Sequence, residues 1–360
     1  MLTRRTWLAT ASTALLAQSD LHWVDSRSLT IEGQGWRDTA APFDRLPAKA
    51  ETLVRPEVWN LSRHSAGIVV RFRARASAIH ARWTLGLDRL ASPNTAGIGH
   101  SGLDLYARDA AGKLRWLGFG SPTKFPTNEA ALVSGMKPEW RDYQLYLPLF
   151  NSVLKLELGV PAGEDIAPAA ARTQPPIVFY GTSITHGAGA SRAGMTHAAI
   201  LGRRFDRPVI NLGFSGNGRM EIEVARLLGE LEPAVYVVDC LPNIEAPAVT
   251  ERTEPLIREL RRARPRTPIL LVEDRTYQDA WLSEAKLRRN QASSVALRAV
   301  YDKLRREKFP GLGYVDGESL LGTDGEGTVD SSHPNDLGYV RQAEAIAPAL
   351  WRLLELRPGN

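Results

Sequence analysis

Between Asp20 and Val160 apolar and polar residues alternate in short runs separated by glycine and proline turns. Ile68, Val70 and Phe72 alternate with Val69, Arg71 and Arg73, and Ile79, Ala81, Trp83 and Leu85 alternate with His80, Arg82 and Thr84. A third run passes through Tyr143, Leu145 and Leu147, and a fourth over 153–160 places Leu154, Leu156 and Leu158 on one face. A period of two sends successive side chains to opposite faces of a strand, so each run predicts a half-buried strand. No helical period intervenes. The pattern therefore predicts an antiparallel β-sandwich, jelly-roll-like, over 20–165.

Pro161, Gly163, Pro168 and the pair Pro175-Pro176 break this texture, and 166–176 reads as a linker. Beyond it the period changes. Apolar runs at 177–180, 209–212, 234–241 and 269–272 predict strands. Between and after them Val224, Leu227, Leu228 and Leu231 share one helical face, Leu256, Ile257 and Leu260 another, and Val340, Ala343, Ile346 and Leu350 a third. Strands alternating with helices predict an α/β domain over 177–360, a doubly wound parallel sheet covered on both faces.

A chain of 360 residues has room for two such cores. Its 43% hydrophobic and 24% charged residues are those of a globular protein, and no apolar run is long enough to span a membrane. Residues 1–19 differ: Arg4 and Arg5 precede an apolar run from Trp7 to Ala17, as in a signal peptide, and Thr3-Arg4-Arg5-Thr6-Trp7-Leu8 resembles a twin-arginine export signal. Export to the periplasm or beyond is expected. Without Arg4 and Arg5 the balance is 43 basic against 40 acidic residues. The dense basic stretches 258–266 and 303–308 fall on helical patterns, where charge marks a solvated face, so no nucleic-acid partner is expected. Cys240, the only cysteine, lies in an apolar run and reads as a buried, inert thiol.

In an open parallel sheet, reactive groups gather where strands end. Gly181-Thr182-Ser183-Ile184 follows the first such strand, Gly213-Phe214-Ser215-Gly216-Asn217-Gly218 the second, and Leu241-Pro242-Asn243 the third; Asp330-Ser331-Ser332-His333 precedes the last helix. In this order the four segments resemble the blocks of the SGNH (GDSL) hydrolases, over roughly half the chain, with Thr182 in place of the usual aspartate and Asn243 in an atypical Leu-Pro-Asn setting. Gly102-Leu103-Asp104-Leu105-Tyr106 is similar to the Gly-x-Asp-Leu-Tyr signature of the sandwich that precedes one bacterial branch of that family. The resemblance implies a flavodoxin-like sheet, Ser183 as nucleophile, His333 as base, Asp330 as its anchor, and an oxyanion hole made by the N–H groups of Ser183 and Gly216 and the Asn243 amide.

The residue types suit that chemistry. A serine hydroxyl needs a base to take its proton, an imidazole needs a carboxylate to fix its tautomer, and a tetrahedral oxyanion needs preformed donors. The Gly-x-Ser-x-Gly elbow, the phosphate-binding loop and His-Glu-x-x-His are all absent from the sequence, so neither metal nor cofactor is expected. The expected activity is hydrolysis of a short-chain ester, acetyl foremost, on a carbohydrate. A lipase or thioesterase for longer chains, or a glycan-binding protein with an inactive hydrolase domain, are the alternatives. Glu273-Asp274-Arg275 reads as a local ion-pair network. His100, Asp104, Tyr106 and Trp116 are candidates to shape substrate choice from the sandwich, with a structural hydrogen bond plus core packing an equal alternative for Asp104 and Tyr106, which alternate with Leu103 and Leu105 along a strand; the catalytic groups are expected to need no N-terminal residue. Oligomeric state is not legible.

Overall fold

The computed structural model describes residues 20–355. The expected export signal at 1–19 lies outside them. The first half comprises β1 (Leu21–Asp25), β2 (Thr30–Glu32), α1 (Pro56–Ser62), β3 (Val69–Arg75), β4 (Ile79–Leu85), α2 (Gly97–Ser101), β5 (Leu103–Arg108), β6 (Leu114–Gly120), β7 (Thr127–Val133), β8 (Trp140–Tyr146), β9 (Val153–Pro161) and β10 (Asp165–Pro168). Two antiparallel sheets, ordered β1-β9-β4-β7 and β10-β3-β8-β5-β6 with β2 alongside β3, enclose one core. The expected alternation is realised on β4, where Ile79, Ala81, Trp83 and Leu85 are all buried, and Trp83 Nε1 donates to the Ser101 carbonyl at 3.1 Å, leaving no orphaned donor.

Two expectations need correction. Leu154 does not share the face of Leu156 and Leu158 but is 46% exposed: the β4–β9 register shifts at Thr84/Leu85, so Leu85 pairs with Val153 while Thr84 pairs with Lys155, and Val153 takes the inward position. The first residues of the expected linker are a strand, because Asp165–Pro168 pairs with β3 and Ile166 packs on the sandwich core.

The second half comprises β11 (Ile177–Gly181), α3 (Ser183–His186), α4 (His197–Arg204), β12 (Val209–Gly213), α5 (Ile222–Leu228), β13 (Val235–Asp239), α6 (Ala246–Ala263), β14 (Ile269–Val272), α7 (Glu284–Arg306), β15 (Leu312–Val315) and α8 (Asp336–Glu355). Its parallel sheet runs β12-β11-β13-β14-β15. The order reverses at β11, which pairs with β12 on one side and β13 on the other. That reversal opens a crevice at the carboxyl end of β11. Helices α4 and α8 cover one face; α5, α6 and α7 cover the other.

The sandwich and the sheet are not separate beads. The 33–64 segment bridges the two: Phe43 stays in the sandwich core, while Trp36, Leu46, Val58 and Trp59 join Leu212, Phe214 and Leu228 in the core of the α/β domain. Strand β5 is buried on both faces: Leu103 and Leu105 enter the sandwich core, and Asp104 and Tyr106 turn toward the other domain. Fully buried Asp104 accepts from Gly194 N–H at 2.8 Å and from Arg192 Nη1 at 3.0 Å. A Cβ on Gly194 would lie 2.6 Å from the Tyr106 ring, so a glycine is required for this approach. The Gly-x-Asp-Leu-Tyr segment is thus a brace between domains.

Candidate active site

Strand β11 delivers Ser183 to the switch point. Its last residue is Gly181, where a Cβ would fall 2.1 Å from Thr185 Oγ1 and 2.8 Å from the Asp239 carbonyl; only glycine lets the strand turn into α3 so tightly. Thr182 caps that turn by accepting from Ile184 N–H at 3.3 Å. Beneath it Thr185 Oγ1 donates to Asp239 Oδ2 at 3.0 Å, and Arg275 pairs with both carboxylate oxygens of Asp239 while also donating to Gln342 Oε1. The ion pair is fully buried, and such a pair persists because each charge and donor is matched. Asp274 pairs with Arg289 at 2.6 Å, so the expected ion-pair network at this strand end is present. Ser183 itself is only 7% exposed, so the turn that carries it is buried.

The distant residues meet it there. Ser183 Oγ lies 2.8 Å from His333 Nε2, and His333 Nδ1 lies 2.7 Å from Asp330 Oδ2. Asp330 Oδ1 accepts from the backbone N–H of His333 at 2.8 Å and of Ser332 at 3.2 Å. Burial disfavours its charge, yet the hydrogen bonds from His333 and from Asn94 outweigh burial and hold the carboxyl below the usual range. With Asp330 charged, Nδ1 carries the proton and Nε2 is left to accept from the serine.

The oxyanion candidates stand on the two strands flanking β11. Gly213 and Asp239 both pair with Gly181, so the loops bearing Gly216 and Asn243 leave the sheet level with Ser183. Gly216 has φ +71°, and a Cβ there would meet nothing within 4 Å. It faces open space. A Cβ on Gly218 would instead fall 1.9 Å from the Gly181 carbonyl, which fixes how closely this loop rides on the turn that carries Ser183. The backbone N–H groups of Ser183 and Gly216 are without partners among the described residues. Asn243 ends a short 3-10 turn over Leu241–Asn243, and its buried Oδ1 is unpartnered among the described residues. Oδ1 only accepts, so any contribution of Asn243 to an oxyanion has to come from its Nδ2.

His333 opens onto a cleft of about 600 Å³ that is also lined by Ser215 and Asn217 from the α/β domain and, from the first half, by residues including Glu57, Asn60, His64, Arg89, Asn94 and Phe150. Arg55 orients Asn217 by donating to its Oδ1 at 2.9 Å. Phe150 stacks on His186 at 4.2 Å and on His100 at 5.6 Å. Burial, with Arg45 nearby, brings the His64 imidazole down to about 3 and the His186 imidazole well below its usual value; burial, with Arg89, brings His100 down to about 4. His64 and His100 are neutral wall material, with His186 packed behind them against Phe150. Arg45 behind them is fully buried and spends its donors on the carbonyls of Leu61, His64, Asn211 and Gly213, tying the 45–64 segment to β12.

Two sequence expectations change here. Of the four sandwich candidates only His100 lines the cleft; Trp116 Nε1 is spent on Asp104 at 3.0 Å, and Tyr106 binds Arg192 at 2.5 Å. The site also draws on the N-terminal half, since Asn94 Nδ2 donates to Asp330 Oδ2 at 3.2 Å. Nothing local in the sequence marks Asn94, Arg45 or Phe150. Cys240 is buried, and burial, with Asp239 and Glu221 nearby, pushes its thiol well above the usual range, as suits an inert residue.

Residues 174–351 match the GDSL-like Lipase/Acylhydrolase family, and 21–166 match GxDLY, the N-terminus of SGNH-hydrolase-type esterases. No curated protein matches the chain. Among solved structures, a GDSL-like lipase from Bacteroides ovatus is 32% identical, with 94% of this chain and 99% of that one covered and a TM-score of 0.89. A salicylyl-acyltransferase of a tetracycline biosynthetic pathway shares the fold at 19% identity, coverage of 93% and 98%, and a TM-score of 0.74. An acetyl xylan esterase from the rumen bacterium Butyrivibrio proteoclasticus shares it at 11% identity, coverage of 94% and 99%, and a TM-score of 0.58. The chain therefore belongs to the GDSL-like lipase/acylhydrolases, as a carboxylic ester hydrolase of the SGNH type with a GxDLY N-terminal domain.

Proposed function

We propose that this chain is an exported serine esterase that removes a short acyl group, acetyl foremost, from a carbohydrate. The hydrogen-bonded path from Ser183 through His333 to Asp330 carries the reading. Ser183 Oγ attacks the ester carbonyl carbon as His333 Nε2 takes its proton; the carbonyl oxygen becomes an oxyanion facing the N–H groups of Ser183 and Gly216 and the Asn243 amide. His333 then returns the proton to the departing sugar hydroxyl, leaving an acyl-enzyme. Water, deprotonated by the same imidazole, releases the carboxylic acid.

The acceptor preference rests on the walls. Glu57, Asn60 and Arg89 present hydrogen-bonding groups to the cleft among the apolar Leu61, Leu87 and Phe150, the mixture of polar groups and ring or aliphatic faces that suits a sugar ligand. The acetyl xylan esterase of like fold supports the same choice. The signal-like segment at 1–19 supports export, and no described helix is long and apolar enough to cross a membrane. The test is a series of p-nitrophenyl esters from acetate to decanoate run beside acetylated xylan. We expect kcat/KM to be highest for acetate and to fall steadily with chain length, with acetate released from the polymer. A rate that climbs with chain length would replace this reading with a lipase or thioesterase.

A further inference from the structure

Asn94 belongs to the sandwich, yet its side chain reaches the far end of the relay. Ser92 and Thr95 exchange backbone hydrogen bonds of 3.0 and 3.2 Å, closing a tight turn with Pro93 and Asn94 at its tip. The Asn94 Oδ1 accepts from Ser92 Oγ at 3.2 Å and Thr95 Oγ1 at 3.3 Å, which fixes the amide so that Nδ2 points away from its own loop. Thr95 Oγ1 also accepts from Gly189 N–H at 3.1 Å, so the turn is pinned just beyond α3. Nδ2 then stands 3.2 Å from Asp330 Oδ2 and 3.4 Å from His333 Nδ1. The second contact is no bond when Nδ1 carries the proton shared with Asp330, since two donors then face each other. Asn94 therefore acts on the carboxylate.

We propose that Asn94 is a positioning residue for the esterase reaction: its amide is the fourth donor to Asp330, locking the carboxylate in the plane that orients His333. The inference rests on the assignment of Ser183, His333 and Asp330 above. Oδ1 takes the N–H groups of Ser332 and His333, and Oδ2 takes the imidazole and the Asn94 amide, so the acceptor capacity of the carboxylate is filled. Without Asn94 one lobe of Oδ2 opens to the cleft and the carboxylate can rotate away from Nδ1. Other charges are more distant partners: Arg89 and Glu57 line the same cleft, and Lys286 and Asp279 bind Ser331 on the opposite side.

The experiment measures kcat, KM, thermal unfolding and the pH profile of kcat/KM for the full chain, Asn94→Ala, Asn94→Asp and Ser183→Ala. One hydrogen bond to a partly exposed charge predicts that Asn94→Ala lowers kcat by about 5- to 30-fold, with unfolding unchanged. Asn94→Asp sets a second carboxylate beside Asp330, favours the protonated imidazole, and should move the acid limb of the profile upward by about half to one pH unit. A wild-type kcat in Asn94→Ala with an unmoved limb in Asn94→Asp overturns the inference, as does a loss of stability alone. If Ser183→Ala is inactive in that case, the relay stands and only the role of Asn94 falls. If Ser183→Ala is active, the relay itself falls.

Discussion

Ser183 stands on the α/β sheet, whereas His333 and Asp330 stand on an irregular loop ahead of α8, and the two sides are held by different physics. Under Ser183 lie a glycine that admits no Cβ, a threonine cap and a buried ion pair between Asp239 and Arg275. Around His333 and Asp330, whose side chains are 23% and 37% exposed, the supports are hydrogen bonds from backbone N–H groups and from Asn94. The proposed nucleophile is fixed by interactions that also hold the fold, and the proposed base by hydrogen bonds on a partly exposed loop. Damage to the supports beneath Ser183 should therefore appear as lost stability, and damage to those around His333 as lost rate with the fold intact.

The largest effect expected is on the second side. In the proposed relay Asp330→Asn removes the anchor of the imidazole, and kcat should drop by about 10⁴-fold. Because Asp330 is partly exposed, the melting temperature should stay within about 2 °C of the parent. A large fall in melting temperature would erase the distinction between the two sides.

Asp239→Ala is the counterpart. It leaves the Arg275 guanidinium buried with its carboxylate gone, which should cost about 3–5 kcal/mol in denaturant unfolding. A loss below about 1 kcal/mol would show that the ion pair does not hold the nucleophile turn. Smallest at neutral pH is the effect of the buried histidines. Unfolded, their imidazoles protonate near the ordinary value of about 6.5. Folded, His100 does so only at about 4 and His64 at about 3, as burial resists the charge. Their folded values are depressed, so their contribution is complete above about 6.5 and is lost as pH falls. Melting temperature should decline between about pH 6.5 and 4 and decline less in His64→Phe; a flat profile across that window would remove these rings from the account.

The same contrast decides what the sequence could reveal. Period-two alternation made β3, β4 and β8 legible because each strand has one face in the core, and the strand-ending motifs made the sheet-borne side of the site legible because a turn chemistry is local. Strand β15, Leu312–Val315, escaped notice: four residues including Gly313 give no period to read. Leu154 was misplaced because a register shift has no signature in composition. Arg45, Asn94 and Phe150 were invisible for a different reason. They have partners across the domain interface, Asn94 being 236 residues from Asp330, so only the folded arrangement places Asn94 and Phe150 at the cleft and Arg45 behind it. For Asp104 and Tyr106 a structural hydrogen bond is legible but not its partner, since period-two alternation cannot say whether the second face meets solvent or, as here, Arg192 and Gly194 of the other domain.

The most direct test of the relay is covalent capture of its nucleophile. A fluorophosphonate probe incubated with the intact protein, followed by peptide mass spectrometry, should mark the peptide bearing Ser183 alone. Ser183→Ala should be unlabelled, should keep its melting temperature, and should retain less than about 1% of the parent kcat on p-nitrophenyl acetate. Labelling at Ser215 or another serine, or undiminished turnover by Ser183→Ala, would contradict the account.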